Sequence, residues 1–258
     1  MTFDNSLIIV KTPTNKYLSV VQNKKEFITS EGVINYIDIK KIPCEIYSST
    51  GVKFKIYKPS YKEFTTLMKR GPQIIYPKDA AQIILEADIR TDSQVLEIGT
   101  GSGALTLYLY LILKNEGKLF TLDSSSVNQR RANKTIRRFL STLTTDENVN
   151  VNFLTNDLLH FKLSELDSKV DTIITDVPEP WEFFTHNQID FSLSWVSYLP
   201  SITQAIKIKE CLEKENFENI EVKEVLIRDW IINKKIVRPS HSQISHTGFI
   251  ISGKYYKY

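Results

Sequence analysis

Glutamate and glycine alternate with other residues in Val95-Leu96-Glu97-Ile98-Gly99-Thr100-Gly101-Ser102-Gly103, and an apolar run from Ala104 to Leu113 follows at once. The hydrophobic positions Val95, Leu96 and Ile98 predict a buried strand, the glycines a tight turn, and the apolar run a helix. Glycines at such a turn let the backbone take unusual φ/ψ and bring a ligand against bare main chain. In a Rossmann-type sheet this is where the binding crevice opens, at the carboxyl end of a strand. The glycine spacing differs from the G-x-G-x-x-G that cradles a dinucleotide pyrophosphate. Taken alone, the loop also reads as a strand-to-helix turn of any α/β domain.

Carboxylates recur downstream. Asp123 closes the strand Leu119–Leu122, where a Rossmann site hydrogen-bonds ribose hydroxyls. Asp157 follows the strand Val149–Leu154. Asp176 ends the strand Val170–Thr175 and opens Asp176-Val177-Pro178-Glu179-Pro180-Trp181. Two prolines there predict a stiff loop rather than a helix start.

The elements that position these groups come in two blocks. Residues 1–59 read as a small β-rich domain of short strands, Leu7–Val10, Tyr17–Val21, Val33–Ile37, Glu45–Tyr47 and Val52–Tyr57, ended by Pro59. Residues 60–258 read as a Rossmann-like α/β domain. It starts with a helix over 60–68 and a loop from Lys69 to Asp79, whose polar residues could meet a cofactor edge. Asp79 is the expected N-cap of a helix to Ala87. A capping box at Ser126-Val127-Asn128-Gln129 predicts the helix after Asp123. Arg130, Lys134, Arg137 and Arg138 share one face of it, read either as a solvated surface or as a phosphate-contacting stripe. A fifth strand covers Trp195–Leu199, and a second capping box, Ser201 to Gln204, opens a helix to about Asn216. Ile220–Ile227 and Gly248–Gly253 are expected as closing antiparallel strands, flanking a basic stretch from Arg228 to His246.

The chain has 258 residues, 41% hydrophobic and 24% charged, with a formal net charge of +3. That is an ordinary globular composition, and any nucleic-acid surface must come from local clustering of basic residues. Cys44 and Cys211 are far apart and form no metal or redox motif, so no metal is expected. No run approaches a membrane span, and the first residues lack the pattern of a secretory signal. An intracellular protein is expected, cytoplasmic, with a mitochondrial location left open.

The E-x-G-x-G-x-G loop resembles that of S-adenosylmethionine (SAM)-dependent methyltransferases. With Tyr76-Pro77-Lys78-Asp79, the Asp176–Trp181 loop, Tyr198-Leu199-Pro200-Ser201-Ile202-Thr203-Gln204 and His246-Thr247-Gly248-Phe249, the chain resembles tRNA adenine-N1 methyltransferases that modify adenine 58 of the T-loop. The resemblance covers nearly the whole chain and implies a methyltransferase fold with a small N-terminal β-domain. It implies SAM as cofactor, held by Glu97, Gly99, Thr100, Gly101, Ser102, Gly103, Ala104, Asp123, Asp157 and Asp176. Asp176 would also be the catalytic carboxylate, orienting adenine N1 through the exocyclic amine and stabilising the developing cation. Tyr76 and Tyr198 would flank the flipped base. Asp157 also reads as a turn residue, the two tyrosines as core, and His246 as structural. tRNA is the implied partner, and the assembly a homotetramer or a heteromer with a related subunit. A non-catalytic tRNA-binding subunit is the alternative, which retention of the glycines and Asp176 argues against. Two departures stand out. The family's Pro-Gly-Gly turn before the fifth strand is replaced near Asn187-Gln188-Ile189-Asp190, and Asp123 stands where glutamate is common.

Overall fold

Runs of β-branched and aromatic residues form six strands at the start of the chain: β1 (Leu7–Lys11), β2 (Lys16–Val20), β3 (Glu26–Thr29), β4 (Gly32–Asn35), β5 (Cys44–Tyr47) and β6 (Lys53–Tyr57). The computed structural model describes residues 3–68, 74–113, 116–143, 151–243 and 245–258. Four of these strands make an antiparallel sheet in the order β2-β1-β6-β5, and β3 and β4 pair as a separate hairpin. In β6 the apolar Phe54 and Ile56 are buried while Lys53 and Lys55 face solvent, the alternation expected of a half-exposed strand. β3 was not expected. It is only four residues long, and its Ile28 is exposed.

Helix α1 (Tyr61–Leu67) opens on a capping box in which Ser60 and Glu63 satisfy each other's backbone amides. Its Tyr61 and Phe64 rings lie 5.6 and 5.0 Å from the ring of Phe139. These elements belong to one compact unit, residues 1–71 with 134–149, and the expected division at 59/60 falls inside it.

The second unit comprises residues 72–133 and 150–258. Its elements are α2 (Pro77–Glu86), β7 (Gln94–Ile98), α3 (Ala104–Leu113), β8 (Lys118–Asp123), α4 (Ser126–Leu140, whose last turns are counted with the first unit) and β9 (Val151–Thr155). Then come β10 (Thr172–Thr175), β11 (Leu193–Leu199), α5 (Ile202–Lys214), β12 (Glu218–Glu224), β13 (Trp230–Ile232), β14 (Val237–Pro239) and β15 (Phe249–Tyr255). A seven-stranded sheet runs β12-β15-β11-β10-β7-β8-β9. The five strands from β11 to β9 are parallel, and β15 lies antiparallel to both β11 and β12. The strand order reverses at β7, so the topological switch point lies at the carboxyl ends of β7, β8 and β10. This is the expected Rossmann-like sheet. The core on one side is built on Leu96, Ile98, Phe120, Phe183, Trp195 and Phe217.

Several local expectations change. Asp79 does not cap α2: Tyr76 is the N-cap, Pro77 takes the first helical position it favours, and Asp79 is wholly buried in the first turn. The α4 cap is Ser125, whose hydroxyl accepts from Asn128 N, rather than Ser126. Ser201 caps α5 by accepting from Thr203 N, but Gln204 does not close the box. Pro180 begins a 3-10 helix, Pro180–Thr185, instead of ruling one out. Within the basic 228–246 stretch β13 and β14 form an exposed hairpin. Along α4, Arg130, Lys134 and Arg137 are exposed, whereas Arg138 is half-buried and its pKa is lowered by desolvation. Residues 69–73 of the Lys69–Asp79 loop and 149–150 of the Val149–Leu154 strand lie outside the described residues.

The strand after the missing Pro-Gly-Gly turn forms nonetheless. Buried Asn187 replaces turn chemistry with an amide staple: its Oδ1 accepts from Leu163 N at 2.7 Å, and its Nδ2 donates to Phe161 O and Phe183 O at 3.0 Å each. Among the described residues no helix is long and apolar enough to cross a membrane.

Candidate active site

The glycine loop leaves β7 with all three glycines at positive φ: Gly99 at 102°, Gly101 at 51° and Gly103 at 78°. Gly99 N donates to Leu122 O, and Asp176 N donates to Ile98 O, each at 2.8 Å. The ends of β7, β8 and β10 are thereby locked together. A Cβ on Gly103 would lie 2.8 Å from the Ala132 Cβ, so this glycine lets α4 pack against the loop. Gly101 N donates to Asp123 Oδ2 at 2.9 Å, while Asp123 Oδ1 accepts from Ser125 N at 2.8 Å. Asn128 Nδ2 reaches both oxygens at 3.3 Å. The carboxylate at the end of β8 therefore holds the glycine loop and the start of α4 in register while it lines the cavity beside them.

A cavity of about 440 Å³ opens over these strand ends. Of the expected site residues, Gly99, Gly101, Asp123, Asp157, Asp176 and Tyr198 line it. Among the described residues its wall carries these three carboxylates and no lysine or arginine. A pyrophosphate would meet uncompensated repulsion there, whereas a cation is favoured. Apolar Ile98, Leu122 and Leu158 complete a wall suited to a flat heterocycle. Bare glycine backbone, a ribose-ready carboxylate and a surplus of negative charge fit a nucleoside that carries a sulfonium. Asp157 serves both of its readings, for it lines the cavity while its Oδ1 accepts from Leu159 N at 3.0 Å in a local turn.

Other expected residues lie elsewhere. Glu97 is 1% exposed and sits behind the loop, outside the cavity wall. Its Oε2 accepts from Thr106 Oγ1 at 2.7 Å and Thr121 Oγ1 at 2.6 Å, and its Oε1 has no partner among the described residues. Burial pushes its pKa up to about 8, so the group is a neutral acid at pH 7. Thr100 is buried with its hydroxyl 2.6 Å from that of Thr121, and Ser102, Gly103 and Ala104 lead into α3 away from the cavity. Tyr76, half-buried at the start of α2, is not part of the cavity wall either.

Asp176 is half-buried at the wall, and desolvation raises its pKa to about 7. Its loop is held from α5, where Gln204 Nε2 donates to Pro178 O at 2.9 Å and the Lys207 ammonium lies 3.8 Å above the Trp181 ring. Tyr198, 6% exposed, has its hydroxyl pKa raised by burial and then by the nearby carboxylates of Asp79 and Asp176. His246 is held at both ring nitrogens. Its Nδ1 lies 2.7 Å from Glu224 Oε1 and its Nε2 2.9 Å from Pro200 O, and the Pro200 carbonyl and Glu224 raise its pKa.

Sequence reasoning missed Asn128 and Gln129 as site-building residues. Gln129 Nε2 lies 3.0 Å from Thr100 Oγ1 and 2.8 Å from Leu154 O, tying the glycine loop to β9. A glutamine one turn into a cationic helix carries no signal of burial. Its place opposite the glycine loop could have been found only from the packing of α4.

The family described as tRNA methyltransferase complex GCD14 subunit matches residues 55–248. The chain is 30% identical over 94% of its length, and 92% of the relative's, to the tRNA (adenine(57)-N(1)/adenine(58)-N(1))-methyltransferase TrmI of Methanocaldococcus jannaschii. The crystal structure of the tRNA (m1A58) methyltransferase TrmI from Aquifex aeolicus superposes with a TM-score of 0.79 at 26% identity, covering 97% of each chain. A SAM-dependent O-methyltransferase from Thermotoga maritima shares the fold, with a TM-score of 0.88 at 23% identity over 98% of this chain and 93% of that one. With its acidic cleft and constrained glycine loop on that fold, the chain belongs to the GCD14 family of tRNA methyltransferase complex subunits.

Proposed function

We propose that this protein is a SAM-dependent tRNA methyltransferase that forms N1-methyladenosine at position 58 of the T-loop. The observation that carries the reading is the juxtaposition of the Gly99 backbone with Asp176 at the wall of a cavity that carries three carboxylates. SAM, when bound, supplies a methyl group on a cationic sulfur. The protein's own work is to hold donor and acceptor in line, which is where most of the barrier reduction in such a transfer arises. Gly99 and Gly101 present backbone to the amino-acid end, and Asp123 and Asp157 offer carboxylate oxygens to the nucleoside end. Asp176 accepts a hydrogen bond from the adenine exocyclic amine, which turns N1 toward the methyl group. With SAM bound, the N1 lone pair would take up the methyl group as its bond to sulfur breaks, so that the positive charge would move from sulfur to the adenine ring. A carboxylate facing that ring stabilises the transition state more than the neutral reactant. No proton needs to leave for the balance to close. Tyr198 lines the same cavity and offers its ring to the base; Tyr76 belongs to this reading as the second flanking ring. Enzyme assembly, from copies of this chain or with a related subunit, is part of the proposal, and light scattering on the purified chain separates the two.

The test incubates the purified chain with labelled SAM and a tRNA transcript, and maps the product by reverse-transcription stops at adenines 57 and 58. A stop at 58 that disappears with Asp176→Ala establishes the activity. Bound tRNA with no transfer points to a missing partner subunit when SAM still binds, and supports the non-catalytic subunit when SAM does not bind.

A further inference from the structure

Tyr198 reaches the cavity wall from β11, but its hydroxyl points into a buried polar cluster that the mechanism above does not use. The hydroxyl donates to Asp79 Oδ2 at 3.3 Å, and Thr247 Oγ1 donates to the same oxygen at 2.7 Å. Lys78 Nζ donates to Asp79 Oδ1 at 2.8 Å, to Thr247 Oγ1 at 2.6 Å and to Val225 O at 2.7 Å. All three ammonium protons are thereby used. Asp79 is 0% exposed and Thr247 7%, so these contacts are made out of water, where a satisfied polar cluster fixes geometry strongly. A Cβ on Gly248 would lie 2.5 Å from Tyr198 Cζ, so the ring rests on bare backbone. Gly248 is required there by space rather than by conformation. Segments 168 residues apart in sequence converge on one phenol.

We propose that Lys78, Asp79 and Thr247 are positioning residues. They commit the Tyr198 hydroxyl to the interior and fix its ring as a wall for the acceptor base, so that Tyr198 acts through its ring and not as an acid or base. The inference rests on the methyltransferase reading for its kinetic consequence, but the geometry it claims is independent of activity.

Because Asp79→Ala would leave the Lys78 charge buried without a partner and risks the fold, the lead variant is Thr247→Val, which keeps side-chain shape. Its kcat on tRNA is expected to fall about 10-fold with the SAM Kd changed less than about twofold, as befits a misplaced wall. In the Tyr198→Phe background the same substitution is expected to cost less than about twofold further, since the hydroxyl it helps to anchor is gone. An undiminished effect in that background, a parallel loss of SAM affinity, or an unchanged kcat each overturns the proposal. Separately, 19F NMR of fluorotyrosine-labelled protein reads the ring directly, the Tyr198 signal being assigned by its loss in Tyr198→Phe. Slow ring flipping in the wild type, speeded in Thr247→Val, supports the proposal, and an identical signal in both defeats it. If the wild type neither transfers a methyl group to tRNA nor binds SAM, the functional reading fails while this second measurement still decides the positioning role.

Discussion

The Gly99 Cα faces the Asp176 backbone so closely that a Cβ there would lie 2.3 Å from the Asp176 carbonyl oxygen. The cofactor loop after β7 and the loop that carries the acceptor-side carboxylate after β10 are therefore one packed piece. The Asp176 N to Ile98 O hydrogen bond at 2.8 Å closes the same junction from the other side. In a reaction whose catalysis is mostly alignment, coupling the donor cradle to the acceptor carboxylate removes a degree of freedom that would otherwise misalign the two.

Gly99→Ala should therefore damage both loops at once. The added methyl meets backbone atoms that cannot rotate away, and its φ of 102° is strained for any L side chain. A stability loss of about 2–4 kcal/mol and loss of measurable SAM binding are expected, read by denaturant unfolding and calorimetry. Gly51→Ala is the control. Its φ is 80° but nothing lies within 4 Å of the added carbon, so only the conformational cost of about 1–2 kcal/mol should appear.

Asp176 gives the activity a pH dependence. Its carboxyl pKa is raised from 3.8 to about 7, so the ionised form that stabilises the adenine cation accumulates as pH rises through about 7. Under subsaturating SAM and tRNA, kcat/KM should climb through that region and level off above it. The stability effect has the opposite sense. A folded pKa above the unfolded one means that stability present below about pH 4 is lost as pH rises to about 7. Asp176→Asn should flatten both profiles, raise the melting temperature at pH 8, and lower kcat by about 10²–10³-fold. A variant whose kcat matches the wild type at pH 8 would remove Asp176 from the transition state.

Asp123→Ala tests the clasp at the end of β8. The substitution leaves Gly101 N, Ser125 N and the Asn128 amide without their acceptor and removes a carboxylate from the cavity wall. SAM Kd should rise by about 10–100-fold, with the melting temperature falling by a few degrees, as the loss of hydrogen bonds to a charged group implies. Calorimetric titration with SAM gives the first number and thermal unfolding the second.

Much of this architecture could be read from local pattern. The apolar runs of β7, β8 and β10, the glycine spacing and the strand-end carboxylates all report short-range constraints, and they place Gly99, Asp123 and Asp176 together because a doubly wound sheet brings strand ends together. What escaped is long-range. Asp79 reads as a cap from its neighbours, yet it is buried by Tyr198 and Thr247, which are distant in sequence. Asn187 stands in for an absent turn through carbonyls on other segments. β3, at four residues, is too short to announce itself before pairing with β4.

Glu97 shows how a motif position can be legible while its role is not. Its place in the glycine motif suggests a hand on the cofactor, but the side chain lies behind the loop, bonded to Thr106 and Thr121 and raised to a pKa of about 8 by burial. As a neutral acid at pH 7 it is matched in shape and charge by glutamine. Glu97→Gln should therefore bind SAM within about threefold of the wild type, since a group outside the cavity touches no ligand. Its stability should depart from the wild type only as pH rises. The raised folded pKa makes the wild type lose stability between about pH 4.5 and pH 8, a loss the amide cannot share. Thermal unfolding at pH 6 and pH 9 measures this directly: the variant should gain on the wild type at the higher pH. A collapse of SAM affinity at pH 6, with the fold intact, would instead return Glu97 to the cofactor's own contacts.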